Sequence, residues 1–204
     1  MRWIKILLFF SLLCTITIYL FPRTWELDLI ASLQENRSSL SVRFFQFVSD
    51  SKSYITIGVP VILIVVSFTR PNKLLREKAL IVLFSLAVAG ILSVGVKKIV
   101  REPRPYEVDG RIAQLSSGGG YGFPSGHTLE AVAAATAFSF FWPELAIITA
   151  CICWVLLTMT SRIYLGVHDP GDVMGGAFLG MLSFLMVLKI RDFAVRSKTN
   201  ASAK

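Results

Sequence analysis

The sequence predicts an all-α, polytopic membrane protein with six transmembrane helices and one or two interfacial helices between the first two spans. Composition gives the first reason: 54% of the 204 residues are hydrophobic and only 17% are charged. The mean hydropathy is +0.64. One domain of this length cannot hide so much apolar surface from water, so the expected solvent is lipid. The second reason is a series of apolar runs of spanning length, and the third is that their alternation delivers the polar motifs to one side.

The runs are Trp3 to about Phe21, Tyr54 to Phe68, Leu80 to Val96, His127 to Trp142, Leu145 to Thr160 and Asp172 to Leu188. As helices each covers roughly 23 to 28 Å at 1.5 Å per residue, slightly under a hydrocarbon core of about 30 Å. The first run follows Arg2 and Lys5 as a signal peptide would. It lacks a small-x-small cleavage site before Phe21, Pro22 and Arg23, so an uncleaved helix is expected. The whole chain, 1–204, reads as one membrane-embedded domain.

A formal charge of +8 accompanies this hydropathy. It points to anionic lipid headgroups or phosphorylated substrates, because no basic arm or nucleic-acid motif goes with it. The expected partners are therefore a lipid phosphate and membrane lipids, with no nucleic acid. Cys14, Cys151 and Cys153 lie in apolar runs, where a thiol behaves as a small hydrophobe, and imply neither a disulfide framework nor a zinc site. A cytoplasmic N-terminus puts Arg2, Lys5, the Arg70 to Lys78 loop and the basic C-terminal tail inside. Both termini are then cytoplasmic in the inner membrane, and the polar motifs face the extracytoplasmic side.

Thr24 to Asp50 is amphipathic. Trp25, Leu29, Ile30 and Leu33 recur at helical spacing, as do Leu40, Phe44, Phe47 and Val48, and these stripes are expected to pack on the bundle or form a lip at the interface.

Three polar segments carry the chemistry. Lys97 to Pro105 ends a span in clustered cations, a good match to phosphate oxygens. Gly118 to His127 is a glycine-rich approach to a helix start, which is expected to leave amide donors facing an anion, with Ser125 as N-cap and Gly126 allowing close approach. Ser161 to Asp172 places Asp169 and Pro170 at the start of the last span and Asp172 four residues after His168, within reach of its imidazole. His127 and His168 are the chain's two histidines, and parity puts both on one face.

Together these segments resemble the signature of the type 2 phosphatidic acid phosphatase (PAP2) superfamily, in its bacterial membrane lipid phosphatase branch. That pattern is Lys, six residues, Arg-Pro; then Pro-Ser-Gly-His; then Ser-Arg, five residues, His, three residues, Asp. Lys97 with Arg104-Pro105, Pro124 to His127, and Ser161-Arg162 with His168 and Asp172 fit at every position. The resemblance implies that Lys97, Arg104, Ser125, Gly126 and Arg162 bind the phosphoryl oxygens. It implies further that His168 attacks phosphorus to form a phosphohistidine, that Asp172 orients it, and that His127 protonates the leaving oxygen and then activates water. No metal and no cofactor is expected. A small six-span member is similar to undecaprenyl diphosphate phosphatases. Phosphatidylglycerophosphate, phosphatidate and lipid A phosphate, lipid phosphotransfer, and a non-catalytic phospholipid scaffold or anion transporter are the alternatives.

Glu130 is an ionisable group three residues after His127 inside an apolar span. It is expected to support His127, or else to be a solvated acid near a helix start.

Overall fold

The computed structural model describes residues 2–202, with side chains to residue 197. Nine α-helices account for most of them, and no strand occurs among the described residues. They are α1 (Arg2–Tyr19), α2 (Thr24–Glu35), α3 (Ser39–Ser53), α4 (Val59–Thr69), α5 (Lys73–Val100), α6 (Pro105–Val108), α7 (Gly126–Phe141), α8 (Leu145–Tyr164) and α9 (Pro170–Ser202). Five runs are long and apolar enough to cross a membrane by length and composition: Arg2–Tyr19, Ser39–Thr69, Lys73–Val108, Leu145–Tyr164 and Pro170–Ser197. The chain is a multi-pass membrane protein.

The expected span missing from these five, His127 to Trp142, corresponds to α7, which has only 16 residues. It differs from the others in kind. Ten of those residues are buried, among them Ala131, Ala133, Ala134, Ala135 and Ala137, so α7 is the central post of the bundle. It packs chiefly on α5, α8 and α9. Small residues permit the close approach: a Cβ on Gly176 would lie 2.7 Å from the Ser125 carbonyl oxygen, and one on Gly180 would lie 2.5 Å from that of Leu129. At the far end of α7 the Phe141 carbonyl accepts from Lys78 Nζ at 3.1 Å, which brings it beside the first turns of α5. The helix therefore runs between the same two faces as its neighbours.

The amphipathic segment departs from expectation in two ways. Instead of two interfacial helices followed by a separate span, α3 continues through a π-helical turn, Tyr54–Gly58, into α4. Nothing between Asp50 and Val59 breaks a helix, and Pro60, which lacks the N–H that would bond Thr56, follows directly on the widened turn that absorbs this loss. The stripes also split. Ile30 and Val48 are buried as a packing stripe would be, but Trp25, Leu29, Leu33, Leu40, Phe44 and Phe47 are exposed, and Glu26, Gln34, Ser49 and Lys52 are buried beside Ile30 and Val48. The surroundings are apolar, so much of the apolar surface can face outward while polar groups turn in. Gln34 shows what the inward face does: its amide donates to the Ala113 and Tyr164 carbonyls at 3.1 and 2.9 Å, and accepts from the Ala113 N–H at 2.8 Å.

Candidate active site

All three polar segments meet at one end of the bundle. Arg104 is the hub and is 3% exposed. Its Nη1 donates to the Val167 carbonyl at 2.7 Å and lies 3.5 Å from His168 Nε2. Its Nε and Nη2 donate to the Gly120 and Gly119 carbonyls, each at 2.9 Å. The glycine run therefore turns carbonyls toward this cation, where amide donors had been expected. A Cβ at Gly118 would fall 2.9 Å from Arg104 Nη1, so the loop must be glycine there to wrap the guanidinium. Three of the five N–H groups hold carbonyls and a fourth faces His168 Nε2, which leaves one on Nη2 for an anion.

Arg162 is 1% exposed. It donates to the Ser49 hydroxyl, and makes long contacts of 3.4 Å to Ser116 Oγ and 3.5 Å to the Ser117 carbonyl. Its buried Nε has no hydrogen-bond partner. Lys97, at the end of α5, donates to the Tyr121 and Gly122 carbonyls. Among the described residues, Lys97, Arg104 and Arg162 have no carboxylate within salt-bridge range, whereas Arg23, Lys52, Arg111 and Arg191 do. Burying a cation without a counter-charge is costly. Buried Arg104 and Arg162 and half-buried Lys97 lie around His168 and together form an anion hole.

His168 sits against that hole, 2% exposed. Its Nδ1 is 2.9 Å from Asp172 Oδ2. A carboxylate can only accept and a guanidinium can only donate, so Nδ1 carries the proton and Nε2 presents its lone pair toward Arg104. Burial, then the charges of Arg104, Arg162 and Lys97, hold the imidazole well below the usual histidine range. The ring is thus neutral and nucleophilic.

The start of α9 explains its precision. Asp169 precedes Pro170 as expected, but its side chain does not cap the helix; it pairs instead with Arg23, whose Nε donates at 2.8 Å. Asp172 reaches back to the Asp169 N–H at 3.2 Å. Glu26 accepts from the Gly171 N–H at 2.7 Å. Arg23 Nη2 also donates to the Pro103 carbonyl at 2.7 Å, so one side chain joins the residue before Arg104 to the residue after His168. Tyr19 donates to Glu102 at 2.7 Å and completes this bracket.

The middle motif is adjacent. The Ser125 N–H donates to the Asp172 carbonyl at 3.0 Å, which ties the start of α7 to that of α9. Ser125 occupies the N-cap position without a side-chain capping bond. Its hydroxyl accepts from Thr128 at 3.1 Å and retains its own proton to donate. A Cβ at Gly126 would touch Ser93 Oγ at 3.3 Å, so this glycine serves helix packing against α5 as well as leaving its amide free at the first turn of α7. His127 is half-buried, next along the same turn. Glu130 pairs with Lys52 of α3, and makes no hydrogen bond to His127 among the described residues.

Sequence reasoning missed Arg23, Glu26, Ser49 and Lys52. The available signal was charge and hydroxyl groups at one-turn spacing within an apolar amphipathic segment, the places where a membrane protein turns polarity inward.

With this geometry, residues 78–196 match the PAP2 superfamily, more than half of the chain. The chain belongs to that superfamily. It is 30% identical over 91 residues to a lipid A 4'-phosphatase of Bacteroides thetaiotaomicron, covering 42% of this chain and 40% of the relative. It is 30% identical over 118 residues to phosphatidylglycerophosphatase B of Bacillus subtilis (53% and 55%) and 30% over 133 residues to an undecaprenyl-diphosphatase of Sulfolobus acidocaldarius (64% and 62%). These matches span about 40 to 62% of the length of the curated relatives. Among solved structures, Aquifex aeolicus LpxE aligns at 26% identity and a TM-score of 0.69, covering 80% of this chain and 94% of that one. A transmembrane PAP2-type phosphatidylglycerolphosphate phosphatase from Bacillus subtilis shares the fold at 21% identity and a TM-score of 0.73, over 94% and 97% of the two chains.

Proposed function

We propose that the protein is a lipid phosphatase that hydrolyses a lipid phosphomonoester or diphosphate through a phosphohistidine, without a metal. The observation that carries the reading is the pairing of a neutral, carboxylate-oriented imidazole with two buried arginines and a half-buried lysine that lack carboxylate partners. Binding alone would need the cations but not the oriented nucleophile, which disfavours the scaffold and transporter readings.

A bound phosphoryl group brings its oxygens to Lys97, the spare donor of Arg104, the free side of Arg162, the Ser125 hydroxyl and the Gly126 amide. His168 Nε2 attacks phosphorus in line as the bond to the leaving oxygen breaks, and His127 gives that oxygen a proton. The negative charge that grows on the equatorial oxygens meets donors already fixed in place, which is most of what phosphoryl transfer requires. Asp172 stabilises the cationic, phosphorylated ring. His127 then takes a proton from water, whose oxygen attacks the phosphohistidine and releases inorganic phosphate and neutral His168.

The termini are placed in the cytoplasm and the site on the extracytoplasmic face of the inner membrane, with α7 as the sixth span. Among lipids, an isoprenoid diphosphate such as undecaprenyl diphosphate is the first choice, ahead of phosphatidylglycerophosphate, phosphatidate and lipid A phosphate. Purified protein in detergent with EDTA should release phosphate from at least one of these, and His168→Ala should abolish release. Loss of activity on chelation, or full activity in His168→Ala, would refute the reading.

A further inference from the structure

Resting on that reading, we infer that Lys52 is a specificity-determining residue that recognises a negatively charged leaving group, which makes lipid diphosphates the preferred substrate class. The argument begins with direction. α3 runs from the site's face into the bundle, and Ser49 and Lys52 are one turn apart on its inward side. Ser49 touches Arg162, so Lys52 lies one turn deeper than the anion hole. On α7, likewise, Glu130 lies one turn deeper than His127. The two meet in an ion pair between α3 and α7, below the phosphoryl position and on the hydrocarbon side of His127.

A lipid substrate must leave the hole in that direction, because its tail belongs in the bilayer. The first group it places beyond the transferred phosphorus therefore passes the Lys52–Glu130 pair. In a glycerophospholipid phosphate or an isoprenoid monophosphate this group is a neutral alkoxy carbon. In a diphosphate it is a second phosphate, and a primary ammonium is the natural point-charge partner for it. The Lys52 side chain is 11% exposed and that of Glu130 29%, so the carboxylate is the member with room to move aside when an anion takes its place on Lys52.

The chemistry balances without further reagents. His168 Nε2 bonds to the terminal phosphorus as the bridging P–O bond breaks. The electron pair leaves on the lipid monophosphate, whose charge Lys52 offsets while His127 supplies the proton. Water then returns His168 to its neutral form with release of inorganic phosphate. Lys52 speeds only the first step, and only where the leaving group is anionic.

Farnesyl diphosphate and farnesyl monophosphate, presented in the same detergent, share a tail and differ in this group. Wild type should favour the diphosphate in kcat/KM. Lys52→Met should lower that value at least tenfold for the diphosphate and less than threefold for the monophosphate. Lys52→Arg should keep the preference, and Glu130→Gln, which frees the ammonium, should raise it. The double variant Lys52→Met/Glu130→Gln strands no charge and separates folding loss from recognition, and it should show the same selective loss. Equal losses on both substrates, a preference unmoved by Lys52→Met, or a wild type that favours the monophosphate would overturn the inference. Phosphate release retained in His168→Ala would instead sink the proposed function beneath it.

Discussion

The cations of this protein fall into two groups, and their difference is the clearest sign of what the fold is for. Arg23, Lys52, Arg111 and Arg191 each have a carboxylate partner and act as braces: between α2 and α9, α3 and α7, α2 and the 109–111 turn, and α5 and α9. Lys97, Arg104 and Arg162 are tethered by neutral groups, namely carbonyls, hydroxyls and, for Arg104, the His168 imidazole. A tether of neutral dipoles fixes a cation in place without cancelling its charge. Braced cations therefore serve the folded state, with Lys52 inferred to serve a leaving group as well once Glu130 yields it, and tethered ones are held at a cost to stability for an anion that arrives later.

This contrast can be broken experimentally, and the largest effect belongs to the tethered group. Arg162→Met should lower kcat/KM by about 10²- to 10³-fold. Because it removes a buried charge whose Nε has no partner, its thermal midpoint should be unchanged or higher. Arg191→Met, on the opposite face, should leave activity within about twofold, since surface ion pairs contribute roughly 0 to 1 kcal/mol. If Arg162→Met unfolded the protein while Arg191→Met removed activity, the division would be wrong.

Arg23→Gln tests the brace nearest the nucleophile and should have an intermediate effect. It strands the buried Asp169 and unties the Pro103 and Asp169 segments, with a stability loss of about 2 kcal/mol. Activity should fall mainly in kcat, because the phosphate donors remain while the approach of Arg104 to His168 loosens. A change confined to KM would place Arg23 in substrate binding instead.

The smallest expected effect is a pH dependence. Burial pushes the Glu26 carboxyl up to about 7, partly offset by the Gly171 N–H that it accepts. Its unfolded value is about 4.3. Between those values the folded protein binds the extra proton, so this group's contribution to stability is full below about pH 4 and is lost as pH rises through 7. Across pH 6 to 8 the wild-type thermal midpoint should fall with rising pH, and Glu26→Gln should flatten that slope. An identical slope in the variant would show that Glu26 does not titrate there.

The sequence made the site's core legible because motif residues are chemically expensive in lipid: two histidines, a triad of cations and an acid four residues after His168 have few other reasons to exist at helix ends. The bundle was legible through hydropathy, and α7 through its length of apolar residues, although nothing in its pattern showed that it would be the buried post. The α2 and α3 region was misjudged for a physical reason. Periodicity locates the faces of a helix but not which one turns inward, and in a membrane polar groups can share the inward face, as they do here beside Ile30 and Val48. Leu40, Phe44 and Phe47 went to the outside, while Glu26, Ser49 and Lys52 went to the site. The glycine run was misjudged because a backbone offers carbonyls as readily as amides, and Arg104 took the carbonyls.

The central claim is that His168 becomes phosphorylated while held between Asp172 and the three tethered cations. It is tested most directly by mixing His127→Ala protein with substrate labelled in its terminal phosphate, quenching in alkali and mapping the label. The account predicts a phosphoenzyme that accumulates because water is no longer activated, stable to alkali, lost in acid and located on the peptide that carries His168. Turnover with no trapped label, or label on any other residue, would contradict it.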